Sequence, residues 1–485
     1  MERLRQQYRR GRWWPLVAWL VGALVAGPAM AGPRGGRVVA GEAQITAPDV
    51  SITHIQQTSQ RVFIDFDSYD VGVDESVIYS QPGRSAIAVN RILDHKPSEI
   101  FGTLKADGTI FLVNSRGIIF GESATLDVGG LVASGLSISL DDFLNGEYRF
   151  EDVRGGLVVN RGLIQAATGG SVTLLGNGVS NLGLIEAELG SVTLAAGSRA
   201  HLIFDMDGLI GVEIDQGVTQ ALPELEALVS NQGRITAEGG RVVLTGATAS
   251  GLFDTAVNNE GVIQAGRIEK RGGKVMLLGS GADVSVAGTI DVSARDDVSD
   301  GGIIRIESDA LTLVNDGDLS AVSAAGAGGD IRVLGDRVGL VGNTRVDVSG
   351  GAGGGHVNVG GNFRGEGPLL NASRTLVGAD VSVLANALLD GDGGEIIVWS
   401  DDYTIFRGSL VGRGAGSGSG GFAEISSPNS LVSTGTYDLS ADSGIVGTLL
   451  FDPDNIVIQG GTADGSDDTA SDSTLLHAAN PEGTV

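Results

Sequence analysis

The sequence predicts an all-β protein, a right-handed parallel β-helix (β-solenoid) with an N-terminal cap. Three observations support this fold class. Glycine accounts for 78 of 485 residues, hydrophobic residues make up 42% of the chain, and a strand-turn-strand-turn unit recurs about every 20 residues. Collagen is excluded because there are only 11 prolines and no strict Gly-X-Y period. The hydrophobic content is too high for a chain that is disordered over most of its length.

In the repeating unit, an Asn-x-Gly motif precedes the first strand and a Gly-rich turn precedes the second strand. Its clearest copies are residues 160–174, 181–194, 231–244 and 259–277. Each half-unit alternates apolar and polar residues, which is typical of a strand with one buried face. We therefore expect Ile164, Ala166, Val172 and Leu174 to point into the interior. Asparagine and glycine between the strands tolerate the backbone angles of a turn.

Successive copies must stack so that one apolar interior runs along the axis. Coils wound in one sense place the strands parallel and about 4.8 Å apart. Parallel crossovers are overwhelmingly right-handed. At about 21 residues per coil, the chain would form about 20 coils. A column of asparagines would then form from Asn160, Asn181, Asn231 and Asn259. These side chains could bond along the axis or simply begin the turns, and both roles remain open.

The first 31 residues read as a signal peptide. Five arginines between Arg3 and Arg12 precede an apolar run over residues 13–26, and Ala29-Met30-Ala31 offers a cleavage site. The run is shorter than the roughly 20 residues that a membrane-spanning helix needs. We therefore expect cleavage after Ala31 and export through the general secretory route.

The charge balance limits the partners of the chain. The formal net charge is -27, and removal of the basic leader makes the mature chain still more acidic. Such a surface repels phosphate backbones, so we expect no binding to nucleic acid, and it disfavours adhesion to anionic lipid. The chain has no cysteine, so it can form neither a disulfide framework nor a thiolate metal site.

Residues 32–150 differ from the repeats that follow because they are rich in aromatic residues, which we expect to cap the open coil end. Five motifs follow one another at residues 63–71, 90–92, 98–102, 108–121 and 131–134. Their order resembles the secretion domain of two-partner secretion exoproteins, of the filamentous haemagglutinin N-terminal type. The resemblance covers roughly residues 38–150. It implies a capped β-helix that an outer-membrane β-barrel transporter with periplasmic recognition domains exports from the periplasm. The protein would then be extracellular or held at the cell surface.

One turn departs from the family pattern. Members usually carry Asn-Pro-Asn-Gly-Ile where this chain has Asn114, Ser115, Arg116, Gly117 and Ile118. A type I turn still accepts serine and arginine, so the fold should survive. The resemblance makes this turn a candidate for transporter recognition. Turn geometry alone is the competing explanation.

Asn90 and Arg91 form a second candidate motif in the same region of the chain. The resemblance makes them candidates for transporter recognition too. For Asn90, as for Asn114, turn geometry competes with direct contact to the partner.

The sequence offers little catalytic or metal-binding chemistry. The five histidines are scattered and form no zinc-like pair. The segment from Asp390 to Gly394 is faintly similar to a calcium loop but is better explained as a glycine-rich turn. Carboxylate pairs at Asp205/Asp207 and Asp401/Asp402 are interpreted as solvated turns. We therefore expect no catalytic, cofactor-binding or metal site, and no enzymatic activity.

The predicted organisation has four parts. They are a signal peptide (1–31), a secretion domain (32–150), a rod of β-helix repeats (151–450) and an irregular tail (451–485). The segment 447–458 is weakly similar to one found inside large haemagglutinin-like exoproteins. The chain is therefore interpreted as the front of a longer protein or as a shortened copy.

We expect a secreted filamentous haemagglutinin-like adhesin of a Gram-negative bacterium, acting in virulence. It would bind a protein or glycan on a host or neighbouring cell. Two alternatives remain. One is a carbohydrate-active β-helix enzyme. The other is the delivery stalk of a toxin or scavenging exoprotein.

Overall fold

The structure is a computed structural model. It describes residues 32–452, apart from residues 153, 206–208, 224 and 270. The predicted signal peptide and residues 453–485 of the predicted tail lie outside the described residues. Within the described part of the chain, no helix is long and apolar enough to cross a bilayer.

One sheet of 38 strands dominates the fold, and its strands form three parallel stacks around a shared interior. The first stack contains Ser98–Ile100, Ile118–Phe120, Leu157–Asn160, Gly178–Asn181, Ala227–Asn231, Thr255–Asn259, Asp283–Val286, Arg374–Val377, Tyr403–Phe406 and Ser430–Ser433. The second contains Ile52–Gln57, Ser76–Ser80, Leu163–Ala166, Leu184–Glu186, Arg234–Thr236, Val262–Gln264, Thr289–Asp291, Asp318–Ser320, Arg345–Asp347, Ser382–Leu384, Ser409–Val411 and Thr436–Asp438. The third contains Arg61–Phe66, Ile87–Ile92, Ser171–Gly176, Ser191–Ala196, Arg241–Ala247, Lys274–Ser280, His356–Val359, Glu395–Trp399, Phe422–Ser426 and Thr448–Leu450.

Four long strands bend around a corner and take part in two stacks each. Each has a shift of register at the bend, which lets one continuous strand pair on both sides of the corner. These strands are Thr103–Val113, Thr125–Ser134, Ile303–Asn315 and Asp330–Val341.

Apolar side chains from all three stacks fill the interior. Ile164, Ala166, Val172 and Leu174 are buried, as the alternation of the repeat predicts. The parallel pairing joins equivalent positions of successive coils, so that Ile164 lies beside Ile185 and Val172 beside Val192. The predicted parallel β-helix is therefore confirmed.

The length of a coil changes along the chain. Hydrogen-bonded residues in adjacent coils are 21 positions apart at Asn160 and Asn181, but 27 apart at Asp390 and Ser417. A longer period gives fewer coils, so the prediction of about 20 coils is too high.

Antiparallel strands form the N-terminal cap. Arg37–Ala40 pairs with Arg61–Phe66, and Ala43–Asp49 folds back on Ile52–Gln57. The cap thus covers backbone groups that the first coil would otherwise leave open. The aromatic residues do not form this cap themselves. Phe66, Tyr69 and Phe120 lie in the interior, and Phe101 is partly exposed.

A second, smaller sheet lies on the outside of the third stack, and we call it the extra sheet. Its four antiparallel strands are Ser137–Ile138, Arg149–Glu151, Arg199–Phe204 and Ile210–Gln216, and helix α1 (Leu140–Asn145) joins the first two. It buries an aromatic cluster that includes Phe63, Phe111, Phe143, Tyr148 and Phe150. Half of the aromatic residues in 32–150 therefore serve to attach the extra sheet. Two minor elements complete the fold, the hairpin Arg267–Ile268/Arg271–Gly272 and the 3-10 turn Phe363–Gly365.

Corner side chains in the last coils bind the corner of the next coil. Asp390 Oδ1 accepts hydrogen bonds from the Ser417 backbone N–H at 2.8 Å and from its hydroxyl at 2.9 Å. Asp392 accepts from the Ser419 N–H at 2.6 Å. These carboxylates lie in the predicted calcium-like segment, where they hold the turn of the following coil. The bonds from Ser417 lower the pKa of Asp390.

We expect Asp390→Ala to destabilise the last coils at neutral pH and much less in acid. The pKa of Asp390 is depressed in the folded protein, so its contribution is present above the ordinary aspartate pKa of 3.8 and is lost as the pH falls through the folded value. Thermal midpoints of both proteins at pH 7 and pH 3 check this. Asp390→Asn keeps an acceptor oxygen and is the matched control. An equal gap at both pH values would contradict the assignment.

Candidate recognition turn and asparagine column

The turn from Asn114 to Gly117 is closed by its own backbone and buttressed by the preceding coil. The Gly117 N–H donates to the Asn114 carbonyl at 2.8 Å. The Asn114 amide group donates to Lys96 O at 3.1 Å and to Ser98 Oγ at 3.0 Å, and its oxygen accepts from the Arg116 N–H at 2.9 Å. The Asn114 side chain is therefore fully used inside the protein.

Gly117 and Arg116 have opposite environments in this turn. Gly117 has φ +112°, and a Cβ atom there would lie 2.6 Å from the carbonyl oxygen of Leu157. Ile118 is buried in the interior, whereas Ser115 is half-buried and Arg116 is exposed. The turn thus presents Arg116 to solvent on a backbone that requires glycine at 117.

Asn90 and Arg91 also divide between interior and surface. Asn90 is buried and donates to the carbonyl oxygens of Phe111 at 3.1 Å and Ala88 at 3.3 Å. Arg91 makes a two-pronged ion pair with Asp65 at 2.8 and 2.9 Å, and its guanidinium lies 4.9 Å from the centre of the Phe63 ring. The structure places these residues on the third stack, away from any turn, so turn geometry does not explain Asn90.

The four repeat asparagines form one buried column along the first stack. Asn160 donates to Asn181 at 2.8 Å, Asn181 to Asn231 at 2.8 Å, and Asn231 to Asn259 at 2.7 Å. The Asn160 oxygen also accepts from the Gly162 N–H, which is a turn bond. The column therefore combines the ladder role and the turn role that the sequence left open.

The same stacking explains why each Asn-x-Gly motif needs its glycine. A Cβ atom at Gly183, Gly233 or Gly261 would lie 2.1–2.2 Å from the carbonyl oxygen of the equivalent glycine in the preceding coil. Such a contact is far shorter than van der Waals distance, so only glycine fits this column.

We expect Asn231→Ala to lower the free energy of unfolding by about 2–6 kcal/mol. The change leaves the Asn181 amide donor and the Asn259 oxygen buried without this partner, and each such loss costs about 1–3 kcal/mol. Urea denaturation measures the change in the free energy of unfolding, and hydrogen exchange shows whether the neighbouring coils are loosened. Asn258→Ala is the control, because the Asn258 side chain donates to the exposed Glu260 and lies outside the column. Equal stability of the two variants would contradict a structural role for the column.

The other carboxylates named by the sequence lie in local contacts. Asp401 Oδ1 accepts from the Trp399 indole N–H at 2.9 Å and from Asn371 at 3.2 Å. Asp402 accepts from Asn429 at 3.4 Å. Asp205 accepts from the Leu209 N–H at 2.8 Å and lies 3.5 Å from Arg241, whereas Asp207 lies outside the described residues. Each described member of these pairs thus bonds its immediate neighbours.

Sequence reasoning overlooked Glu424, a buried carboxylate in the third stack. Its Oε2 accepts from the Arg364 N–H at 3.0 Å, while Oε1 has no hydrogen-bond partner among the described residues. Burial raises the pKa of Glu424. Arg364 has φ 54° in the turn Phe363–Gly365, so Glu424 holds a strained turn against the rod. The alternation of the strand gives no signal for this contact.

The extra sheet was also overlooked, although the sequence contained a signal for it. The hydrogen-bonded partners Asn181 and Asn231 are 50 positions apart, against 21 for Asn160 and Asn181. The interval between them holds the hairpin Arg199–Phe204/Ile210–Gln216. An interruption of this size in a regular repeat indicates an insertion.

The described residues form a parallel β-helix that begins with an antiparallel cap and carries an extra antiparallel sheet. The TPS secretion domain model matches residues 29–292, which is more than half of the chain. The chain therefore belongs to the TPS secretion domain family, the two-partner secretion exoproteins, whose members are exported across the outer membrane. The match extends well beyond residue 150, through the extra sheet and the asparagine column.

Similar proteins support the same family. The crystal structure of the HMW1 secretion domain from Haemophilus influenzae superposes with a TM-score of 0.62 and 25% sequence identity, covering 87% of this chain and 100% of that one. Two heme/hemopexin-binding proteins of H. influenzae are 30% identical over 205 residues and 33% identical over 102 residues. The alignments cover 41% and 21% of this chain, but only 22% and 11% of those relatives.

Proposed function

We propose that this chain carries the export address of an exoprotein that a partner outer-membrane β-barrel transporter recognises through its periplasmic domains. The observation that carries the proposal is the family match over residues 29–292, which spans the cap, the extra sheet and the asparagine column. In this proposal the transporter passes the chain to the outside, where the β-helix forms.

The architecture suits folding during export. Each strand pairs with its equivalent one coil earlier, so every new coil has a finished template on which to add. Burial of apolar side chains contributes about 25 cal/mol per Å² with each addition. A folded coil is wider than an extended chain and cannot slip back through the transporter pore. The free energy of folding would therefore draw the remaining chain outward without ATP.

We expect Gly117→Ala and Asn114→Ala to reduce the secreted amount at equal synthesis. Alanine at 117 would need φ +112° and would collide with the Leu157 carbonyl oxygen, and alanine at 114 would lose the bonds to Lys96 and Ser98. The measurement is the ratio of extracellular to cellular protein in cells that also produce the transporter.

Arg116→Ala is the matched control for this turn, because it removes the exposed side chain and leaves the turn bonds in place. We expect its secretion to equal that of the wild type. Normal secretion of Gly117→Ala would show that export does not depend on this turn. A loss confined to Arg116→Ala would instead indicate direct contact with the transporter.

We further propose that the exported rod displays a repetitive surface for adhesion to a host or neighbouring cell. The strongly acidic chain and the long column of coils support an extended, soluble display. Capture of haem or of hemopexin is the second candidate, and the two Haemophilus relatives favour it by their names.

A single comparison of exporting and non-exporting cells separates these two functions. We expect cells that secrete the wild-type protein to adhere to epithelial cells several-fold more than cells without the transporter. Retention of haem-loaded hemopexin is measured on the same two strains. Retention without adherence would favour the second candidate over adhesion. The absence of both activities would contradict both proposals.

A further inference from the structure

A histidine lies between two carboxylates on the extra sheet. His201 is directly opposite Glu213 on the neighbouring antiparallel strand, and Asp215 follows two residues later. The exposed fractions of the three side chains are 35%, 62% and 31%, so a dissolved ion can reach all of them. One donor atom from each lies within 4.8 Å of the others, and among the described residues no other group of three shares this feature.

The hydrogen bond to Asp215 selects one tautomer of the neutral imidazole. His201 Nδ1 lies 2.9 Å from Oδ1 and 3.1 Å from Oδ2 of Asp215. An ionised carboxylate can only accept, so Nδ1 donates its proton to Asp215. In the neutral ring the lone pair is then on Nε2, which lies 3.6 Å from Glu213 Oε2. Nε2 and Oε2 then present electron pairs to each other across a gap that a cation can bridge.

The separation of these atoms suits a metal ion. Zinc binds imidazole nitrogen at about 2.0–2.1 Å and carboxylate oxygen at about 2.0–2.2 Å, so two ligands of a tetrahedral ion lie about 3.4 Å apart. The observed 3.6 Å is close to this spacing. Asp215 occupies the position of the carboxylate that commonly orients a metal-bound histidine through its other nitrogen.

Nearby arginines leave the cluster negative. Arg149, the residue opposite His201 on its other side, pairs with Glu147 at 2.7 Å. Arg199 pairs with Glu151 at 2.8 and 3.1 Å. Both positive charges are thus compensated by other acids, so Glu213 and Asp215 keep a local excess of negative charge that favours a cation.

We propose that His201 Nε2 and a Glu213 carboxylate oxygen bind a divalent transition-metal ion, of which Zn²⁺ is the test case, with Asp215 holding the imidazole in place. Water completes the coordination because the site is open to solvent. The nitrogen ligand selects against Ca²⁺ and Mg²⁺, which prefer oxygen ligands alone. The site is independent of the proposed export function.

The test is a competition titration of the purified protein with Zn²⁺ against a zinc-chelating dye. We expect one site that His201→Ala removes. Asp215→Asn, which alters only the support of the imidazole, should weaken binding by about 10–100-fold. Glu213→Gln removes a ligand and should weaken binding at least as much. A second readout is the thermal midpoint, which Zn²⁺ should raise in the wild type and not in His201→Ala.

His356→Ala is the matched control. His356 is also exposed and has Asp330 and Glu395 in register on either side, but these side chains do not form a three-ligand group. We expect its zinc affinity to equal that of the wild type. Circular dichroism verifies that each variant folds, and Glu213→Gln keeps the test decisive should His201→Ala not fold. Equal binding by the wild type, Glu213→Gln and Asp215→Asn, or equal competition by Ca²⁺, would overturn the proposal.

Discussion

The parallel register from one coil to the next is the constraint on which the rest of this structure depends. Each backbone strand bonds the equivalent strand one coil away, so equivalent residues are forced into columns. A residue type that is acceptable once must therefore be acceptable beside itself. Isoleucine and valine satisfy this demand in the interior, asparagine satisfies it through its paired amide donor and acceptor, and glycine satisfies it where two backbones touch.

Departures from the columns carry the distinctive features of the protein. The extra sheet leaves the coils in two segments, one before Asn160 and one between Asn181 and Asn231, and an aromatic cluster attaches it to the third stack. The turn Phe363–Gly365 leaves them again and is held by the buried Glu424. Because these segments are free of the coil-to-coil demand, they can present side chains such as His201 that no neighbouring coil repeats.

Different comparisons bear on the family of this chain and on its individual activity. The secretion domain accounts for more than half of the chain, and the HMW1 secretion domain is matched over its whole length. The heme/hemopexin-binding relatives share only 22% and 11% of their own length with this chain. Export therefore follows from the family.

The sequence by itself determined the β-helix, its interior and the asparagine column, because a two-residue alternation that recurs about every 20 residues buries its apolar faces when successive copies stack in register. It also identified the secretion domain through its ordered motifs. Only the tertiary structure decided that half of the N-terminal aromatic residues attach an extra sheet, that Glu424 is buried under a turn, and that His201 meets Glu213 and Asp215. These contacts join segments outside the repeat, so no periodicity in the sequence specifies which residues meet.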